Sequence, residues 1–368
     1  MNENKSSPLE KFSFASSIAS DVWHPKPKPD AFEWWYFDAL SDNGRDAVVI
    51  VFLDNFVFSP RYNSKKTRKR NAQLGDKLDD FNRFPAIAFI YYRDGKPIYR
   101  SISEHFKEDF SASENEPSCQ IGESSFKLES APYGSGFLLS IDCKLPRKRT
   151  LKANFEWLSI EGDFLPDKTP ISDDAHHWNL VSSRSDVTGS IKVEDKHGKN
   201  VDTVNFRGTG YHDHNADSRW MPKTVKDWQW GRAHFNDSSA IFYRYHDLSE
   251  PEAVTKLFLV RDGKLHERNA RYEEQNLTRN VFGIKYPKRI RFVTDDNISL
   301  RVKQTEIIDQ SFFYLRFLSE ITLTLRDGKP RKTIGITEYL NPKALKYRWL
   351  DWLVNMRIGR GGRGAFLK

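Results

Sequence analysis

The sequence predicts an all-β chain: two antiparallel β-barrel or sandwich domains followed by a C-terminal helix. Three observations lead there. The tetrapeptide Arg-Asp-Gly-Lys recurs at 93–96, 261–264 and 326–329, each time between two strand-like runs. Asp-Gly is a favoured pair for a two-residue hairpin turn, because both central residues need positive φ. Second, runs such as Asp46–Leu53, Ala86–Tyr92 and Leu257–Val260 are rich in β-branched and aromatic residues and end at turn residues, as strands do. Third, helical periodicity is scarce, and a parallel α/β fold needs a helix after each strand.

In chain order, residues 1–20 read as a polar tail. Trp23–Asp30 carries alternate prolines, which forbid a helix and hold the segment extended. From Phe32 to about Tyr339 the chain reads as strands, with Lys196–Lys199 as a variant turn. Two regions of similar β character suggest domains over 21–195 and 196–341. After them, Pro342 to Ile358 reads as a helix. Asn341 is its cap, Pro342 its first residue and Gly359 its stop, and Leu345, Trp349, Trp352 and Leu353 recur at helical spacing against a barrel. The remainder of 342–368 is a basic tail.

Composition narrows the function. Of 368 residues, 38% are hydrophobic and 29% charged, with no apolar run long enough to span a bilayer. Met1–Lys11 lacks the apolar stretch of a signal peptide. Two cysteines, Cys119 and Cys143, build neither a disulfide scaffold nor a cysteine-based zinc site. Free thiols fit a cytoplasmic protein. Aromatic residues reach 14%, enough for a ring-lined ligand cavity as well as a core. The net charge of +8 is concentrated in 61–70 and in the tail from Lys343. No helix-turn-helix, zinc-finger or RNP pattern accompanies it, so nucleic acid is not expected. An anionic membrane surface is the expected partner of Lys65, Lys66, Arg68, Lys69 and Arg70, placing the protein at the inner face of the membrane.

Four short segments are dense in aromatic and ionisable residues: Phe32–Asp38 (FEWWYFD), His176–Asn179 (HHWN), Gly208–Asn215 (GTGYHDHN) and Trp228–Arg232 (WQWGR). Strand alternation sorts each one. Tyr211, Asp213 and Asn215 share a face, and His212 and His214 share the opposite one. His176 and Trp178 align against His177, while Trp228, Trp230 and Arg232 align together. One such face offers a proton donor, its partners and aromatic walls. His212, His214 and His177 are also imidazoles with ligand potential, but neither HExxH nor a cysteine pattern supports a metal. A buried polar network between the two domains would account for the same residues. With no GxSxG and no phosphate loop, neither a serine nucleophile nor a nucleotide is expected.

The Gly208–Asn215 and Trp228–Arg232 motifs, with Glu33–Tyr36 (EWWY) and Phe52–Pro60 (FLDNFVFSP), resemble the carotenoid 1,2-hydratase (hydroxyneurosporene synthase) family over roughly residues 20–345. The resemblance implies two lipocalin-like β domains, a lipophilic small-molecule substrate and hydration of a terminal isoprenoid double bond with no cofactor. It places the acid/base set on His176, Trp178, Tyr211 and Asp213. Glu33, Trp34, Tyr36, His212, His214, Asn215, Trp228, Trp230 and Arg232 are then expected at the substrate. Relatives commonly follow the His-Asn pair with a glycine-containing turn, where this chain has Ala216–Arg219.

Hydration of an alkene requires a strong acid in a dry pocket, a wall tolerant of positive charge and a water. Asp213, protonated through burial, is the expected acid, with His176 orienting it or returning the proton. Trp178 and Tyr211 are expected to face the cation with their rings. The same pocket suits a cyclase, an isomerase or a Diels–Alder-type enzyme that mainly orients a polyene. A noncatalytic lipid carrier is the further alternative.

Overall fold

The computed structural model describes residues 11–26, 28–73, 81–131, 134–165, 174–326 and 328–366. Twelve strands come first: β1 (Phe12–Ala15), β2 (Phe32–Ser41), β3 (Asp46–Leu53), β4 (Ala86–Arg93), β5 (Lys96–Glu104), β6 (Phe110–Ala112), β7 (Ser118–Ile121), β8 (Ser124–Ala131), β9 (Gly134–Leu145), β10 (Arg149–Gly162), β11 (His176–Glu194) and β12 (Asn200–Asp217). Eight more follow: β13 (Val225–Phe235), β14 (Ser238–Asp247), β15 (Val254–Arg261), β16 (Lys264–Arg279), β17 (Lys285–Thr294), β18 (Ser299–Gln310), β19 (Tyr314–Thr324) and β20 (Arg331–Leu340). A short β21 (Gly359–Arg360) ends the series.

Strands β13–β20 form a closed antiparallel barrel, the closure that removes sheet edges in lipocalins. The first twelve strands and β21 form one open sheet, ordered β21-β5-β4-β3-β2-β12-β11-β10-β9-β8-β7-β6, with β1 parallel to the start of β11. The sheet curls until β5 meets β9 across its hollow, where Ser101 Oγ donates to the Lys144 carbonyl at 3.2 Å. Hairpin chemistry accounts for much of this order. Asp94 and Gly95, and Asp262 and Gly263, all take positive φ between directly paired strands. The third copy joins β19 to β20, and its Asp327 lies outside the described residues.

Three segments differ from the sequence expectation. Residues 12–15, expected within a tail, form β1, because Phe12 and Ala15 bury against the sheet while Ser17 N donates to Asn179 Oδ1 at 2.9 Å. Residues 1–10 lie outside the described part. The strand expected to open a second domain at 196, β12, is paired on both sides within the first sheet, with β11 and β2. The sheet therefore passes to the barrel between Asp217 and Val225. Finally, 342–358 is not one helix. Pro342–Lys346 and Arg348–Leu350 are 3₁₀ turns and Asp351–Asn355 a single α turn. Tyr347, at φ −98° and ψ 103°, breaks the run. Leu345 and Val354 are both buried in one core, which a straight helix would forbid, since nine residues turn about half a circle past whole turns. Asn341 still caps the start, accepting from Lys343 N at 3.3 Å. Trp349 and Trp352, expected to pack, are 72% and 55% exposed.

Three larger apolar clusters hold the fold, beside a small one of Ile284, Tyr286, Leu315, Phe317 and Tyr339. One fills the hollow of the sheet, and one lies within the barrel. The third joins the outer face of β2, β11 and β12 to β13–β15, and includes Trp34, Tyr36, Trp178, Tyr211, Trp230 and Tyr243. Among the described residues no helix is long and apolar enough to cross a membrane.

Candidate functional site

The register of β12 against β2 builds the site. Tyr211, Asp213 and Asn215 pair with Asp38, Tyr36 and Trp34, and Trp178 pairs with Asn215 from the other side. In an antiparallel pair, directly opposite residues project to one face. All of these side chains therefore point toward the barrel, and the intervening His212, His214 and Trp35 point into the hollow of the sheet. Gly210 lets the sheet close there: a Cβ on it would lie 2.5–2.7 Å from Val187 and Trp157.

Asp213 sits at the centre of the barrel-facing side. Its Oδ2 accepts from Trp178 Nε1 at 3.0 Å and from the Tyr211 hydroxyl at 2.7 Å, and its Oδ1 accepts from Asn215 Nδ2 at 2.9 Å. Burial raises its pKa to about 7; the Trp178 and Tyr211 hydrogen bonds oppose the rise, and Glu338 and Asp38 add to it. An acid so tuned is protonated and yet able to give up its proton near neutrality.

His176 reaches Asp213 only through intermediates. Asn215 Oδ1 accepts from the Tyr243 hydroxyl at 3.2 Å, and Tyr243 lies 2.7 Å from His176 Nε2. With Tyr243 donating to Asn215, His176 Nε2 is the donor to the Tyr243 oxygen. The other imidazole nitrogen lies 3.8 Å from Asp217, which Arg219 also holds at 2.9 Å. Burial lowers the His176 pKa. The segment Ala216–Arg219 thus places the Asp217 carboxylate, itself held by Arg219, beside the far side of the His176 ring.

Trp178 and Tyr211 serve Asp213 through N–H and O–H rather than ring faces. Trp178 is fully buried, its ring enclosed by Phe14, Tyr243 and Phe258 at 4.5–5.2 Å. Of the rings in the four motif segments, those that line open space are instead Trp34, Tyr36, Trp228 and Trp230. Trp34 stacks on Trp228 at 5.6 Å, and Tyr36 meets Trp230 edge-on at 5.5 Å.

These rings, with Asp213 and Asn215, bound a cavity of about 340 Å³ between the sheet and the barrel. Most other lining residues are aliphatic or phenylalanine. Two ion pairs interrupt the apolar wall: Arg316 with Glu338 at 2.8 Å and Arg100 with Asp309 at 2.5 Å. Tyr36 donates to the same Glu338 oxygen at 3.2 Å. Sequence reasoning missed these four charges. They lie on β5, β18, β19 and β20, outside any motif, and ordinary strand alternation was their sole signal.

Four residues expected at the substrate lie elsewhere. Arg232 points at the sheet and forms a fully buried ion pair with Asp38, Nε to Oδ1 at 2.7 Å. His212, His214 and Glu33 are on the opposite face from Asp213. His212 stacks on Phe37 at 3.8 Å and pairs with Asp21 at 2.9 Å. His214 lies between Asp21 at 3.3 Å and Glu33 at 2.8 Å. Burial opposes charge on His214, but the two carboxylates outweigh it and hold its pKa up at about 9. His24 joins them, with Nδ1 2.7 Å from Glu33. His24, Glu33 and His214 are the described residues whose ligand atoms converge enough to hold a metal. Their mutual ion pairs already account for the cluster as an electrostatic clasp that fastens the N-terminal approach segment to the sheet. His177 faces the same way beside Ser13, and burial drops its pKa to about 3.

Comparison with known proteins agrees with this architecture. A hydroxyneurosporene dehydrogenase of Chlorobaculum tepidum is 28% identical over 350 residues, covering 93% of this chain and 91% of that protein. An acyclic carotenoid 1,2-hydratase of Rubrivivax gelatinosus is 25% identical, covering 78% of this chain and 64% of that one. Among solved structures, an AttH protein of Nitrosomonas europaea superposes with a TM-score of 0.56 at 14% identity, covering 91% of this chain and 98% of that one. CghA superposes with a TM-score of 0.56 at 12% identity, covering 85% of this chain and 88% of that one. The carotenoid hydratase CrtC family matches residues 167–366, which include His176, Trp178, Tyr211 and Asp213 and make up more than half of the sequence. The chain belongs to the carotenoid hydratase CrtC family.

Proposed function

We propose that the protein is a hydro-lyase that adds water across the terminal double bond of an acyclic carotenoid-like polyene. The observation that carries this reading is the Asp213 carboxyl group, raised by burial to a pKa of about 7, at the wall of a largely aromatic and aliphatic cavity whose other carboxylates, Asp309 and Glu338, are paired with Arg100 and Arg316. The π electrons of the alkene take the Asp213 proton, leaving a carboxylate and a tertiary carbocation. Water adds to the cation, and the proton it sheds returns to Asp213, so the net change is addition of H and OH.

The groups around the cavity suit each step. Trp178, Tyr211 and Asn215 donate to the carboxylate, so they stabilise it once the proton has left. The faces of Trp34, Tyr36, Trp228 and Trp230 stabilise a cation by about 0.5–2 kcal/mol each. Tyr243 and His176 hold Asn215 in place. A cavity of this volume is at the lower end of those that enclose one drug-sized ligand (about 300–1,000 Å³), so a long polyene places only its terminal units inside. The remainder of such a substrate stays in a bilayer, which makes membrane contact part of the same reading.

The test is incubation with acyclic carotenoids and shorter isoprenoid alkenes in H₂¹⁸O, followed by mass spectrometry. The expected product is heavier by one labelled water and absent with Asp213→Asn. An isomer of unchanged mass would replace hydration by cyclisation or isomerisation, in which the same acid starts the reaction and water is kept out. Bound substrate with no product from any variant would make the protein a carrier.

A further inference from the structure

The cavity reaches the surface beside two segments that carry unusual exposed side chains. Phe282, at the tip of the β16–β17 hairpin, lines the cavity and is also 37% exposed. Its neighbours Leu277 and Val281 are 47% and 81% exposed. On the other segment, Leu353, Met356 and Arg357 line the cavity, while Tyr347, Trp349 and Trp352 are exposed. Both segments are pinned to one backbone stretch: Asn280 Nδ2 donates to the Ser311 carbonyl at 3.1 Å, and Arg357 Nη1 to that of Gln310 at 2.8 Å. Six of the thirteen large apolar side chains exposed among the described residues therefore flank a single opening.

Cations surround it. Lys343, Lys346 and Arg348 are exposed on the second segment. Arg348 shares a shallow basin with Lys66, the second residue of α1 (Lys65–Gln73). Lys65, Lys66, Lys69, Lys343 and Lys346 are exposed and appear in none of the ion pairs among the described residues. Two arginines of 61–70 are occupied: Arg61 pairs with Glu104, while Arg68 pairs with Asp30 and stacks on Trp220; the Arg70 side chain lies outside the described residues.

We propose that this face docks on an anionic bilayer, with Val281, Trp349 and Trp352 at headgroup depth and the cavity opening toward the acyl chains. Indole rings favour the membrane interface because one edge is polar and the body apolar. The lysines add electrostatic attraction, and stable peripheral binding takes two such signals. A second copy of the chain fits poorly, because a symmetric pairing would set these cations against their own copies. The proposal concerns how a lipophilic ligand gains access and rests on the hydratase reading only for that ligand's identity.

The test is co-sedimentation of the full chain, without substrate, with vesicles of phosphatidylcholine alone or with ~30% phosphatidylglycerol. Wild type should bind the anionic vesicles, more weakly as salt rises. Trp349→Ser/Trp352→Ser should lower that binding by about tenfold or more. Each of Lys66→Gln, Lys343→Gln and Lys346→Gln should lower it by about fivefold. Ile334→Ser, at an exposed barrel position, should leave it unchanged, and equal melting temperatures would show that all variants fold. Wild type that ignores anionic vesicles, or a tryptophan pair whose loss changes nothing, would overturn the proposal. So would a wild-type dimer that Trp349→Ser/Trp352→Ser dissociates, since a second copy would then cover the face. If hydration is absent while vesicle binding behaves as described, the hydratase reading fails and the docking surface stands.

Discussion

Replacing Asp213 with asparagine should cost activity and return stability, and the two effects share one cause. The Asp213 pKa is raised by burial from 3.8 to about 7. Between those values the folded protein binds a proton that the unfolded chain has released, so stability falls as pH rises across this window. The loss is complete above about pH 7. Roughly three pKa units at about 1.36 kcal/mol each come to about 4 kcal/mol. The asparagine side chain does not ionise, so the variant escapes the loss. At about 2.1 cal/mol/K per residue, a chain of 368 residues unfolds with about 0.8 kcal/mol/K. The melting temperature of Asp213→Asn relative to wild type should therefore climb by about 5 °C between pH 4 and pH 8, then level off. Other titrating groups are common to both proteins and cancel in the difference. Over the same range wild-type activity should fall about tenfold per pH unit above 7, and the variant should lose about 10²–10⁴-fold. Calorimetric scans at several pH values and product assays on the same samples test both. A melting difference that does not change with pH, together with a variant that keeps most of its activity, would refute the assignment of Asp213 as a buried acid.

Three further outcomes follow from the charges around the site. Glu338 raises the Asp213 pKa, so Glu338→Gln should move the alkaline limb of the pH–rate profile to lower pH by about one unit or less. His214 is held at about pKa 9 by Glu33 and Asp21. Its contribution, about 3 kcal/mol, is complete below pH 6.5 and lost as pH rises through 9. Glu33→Gln should flatten the fall in melting temperature across that interval. Breaking the buried Arg232–Asp38 pair with Arg232→Met should cost about 3–5 kcal/mol in chemical denaturation, and adding Asp38→Asn should recover much of it.

Much of the site can be read before any tertiary structure is known. Alternation along 211–215 separates Asp213 from His212 and His214, and the register with β2 preserves that division residue by residue. Asp-Gly turns likewise specify which strands are neighbours, since they close hairpins locally. Alternation cannot say which face meets the cavity. Glu33, His212 and His214 are as polar as Asp213, yet they turn into the sheet and fasten the approach segment through Asp21 and His24. Trp178 and Tyr211 look like cation-facing rings in the motif, but their surroundings leave them only a hydrogen bond each to offer.

What the sequence determined by itself is whatever depends on neighbours within a few residues: strands, turn types, the division of faces and the residue types available for chemistry. Tertiary structure alone decided what converges. Arg100, Asp309, Arg316 and Glu338 meet around one cavity because the barrel closes against the outer face of an open sheet. Arg232 leaves the expected substrate set because it finds Asp38 across that junction, 194 positions away in the chain. The exposed tryptophans of 347–352 come to flank the cavity opening because Leu345 and Val354 must both reach one core, which no single straight helix permits. Each of these outcomes depends on burying charge and apolar surface against partners far away in sequence, which local periodicity does not encode.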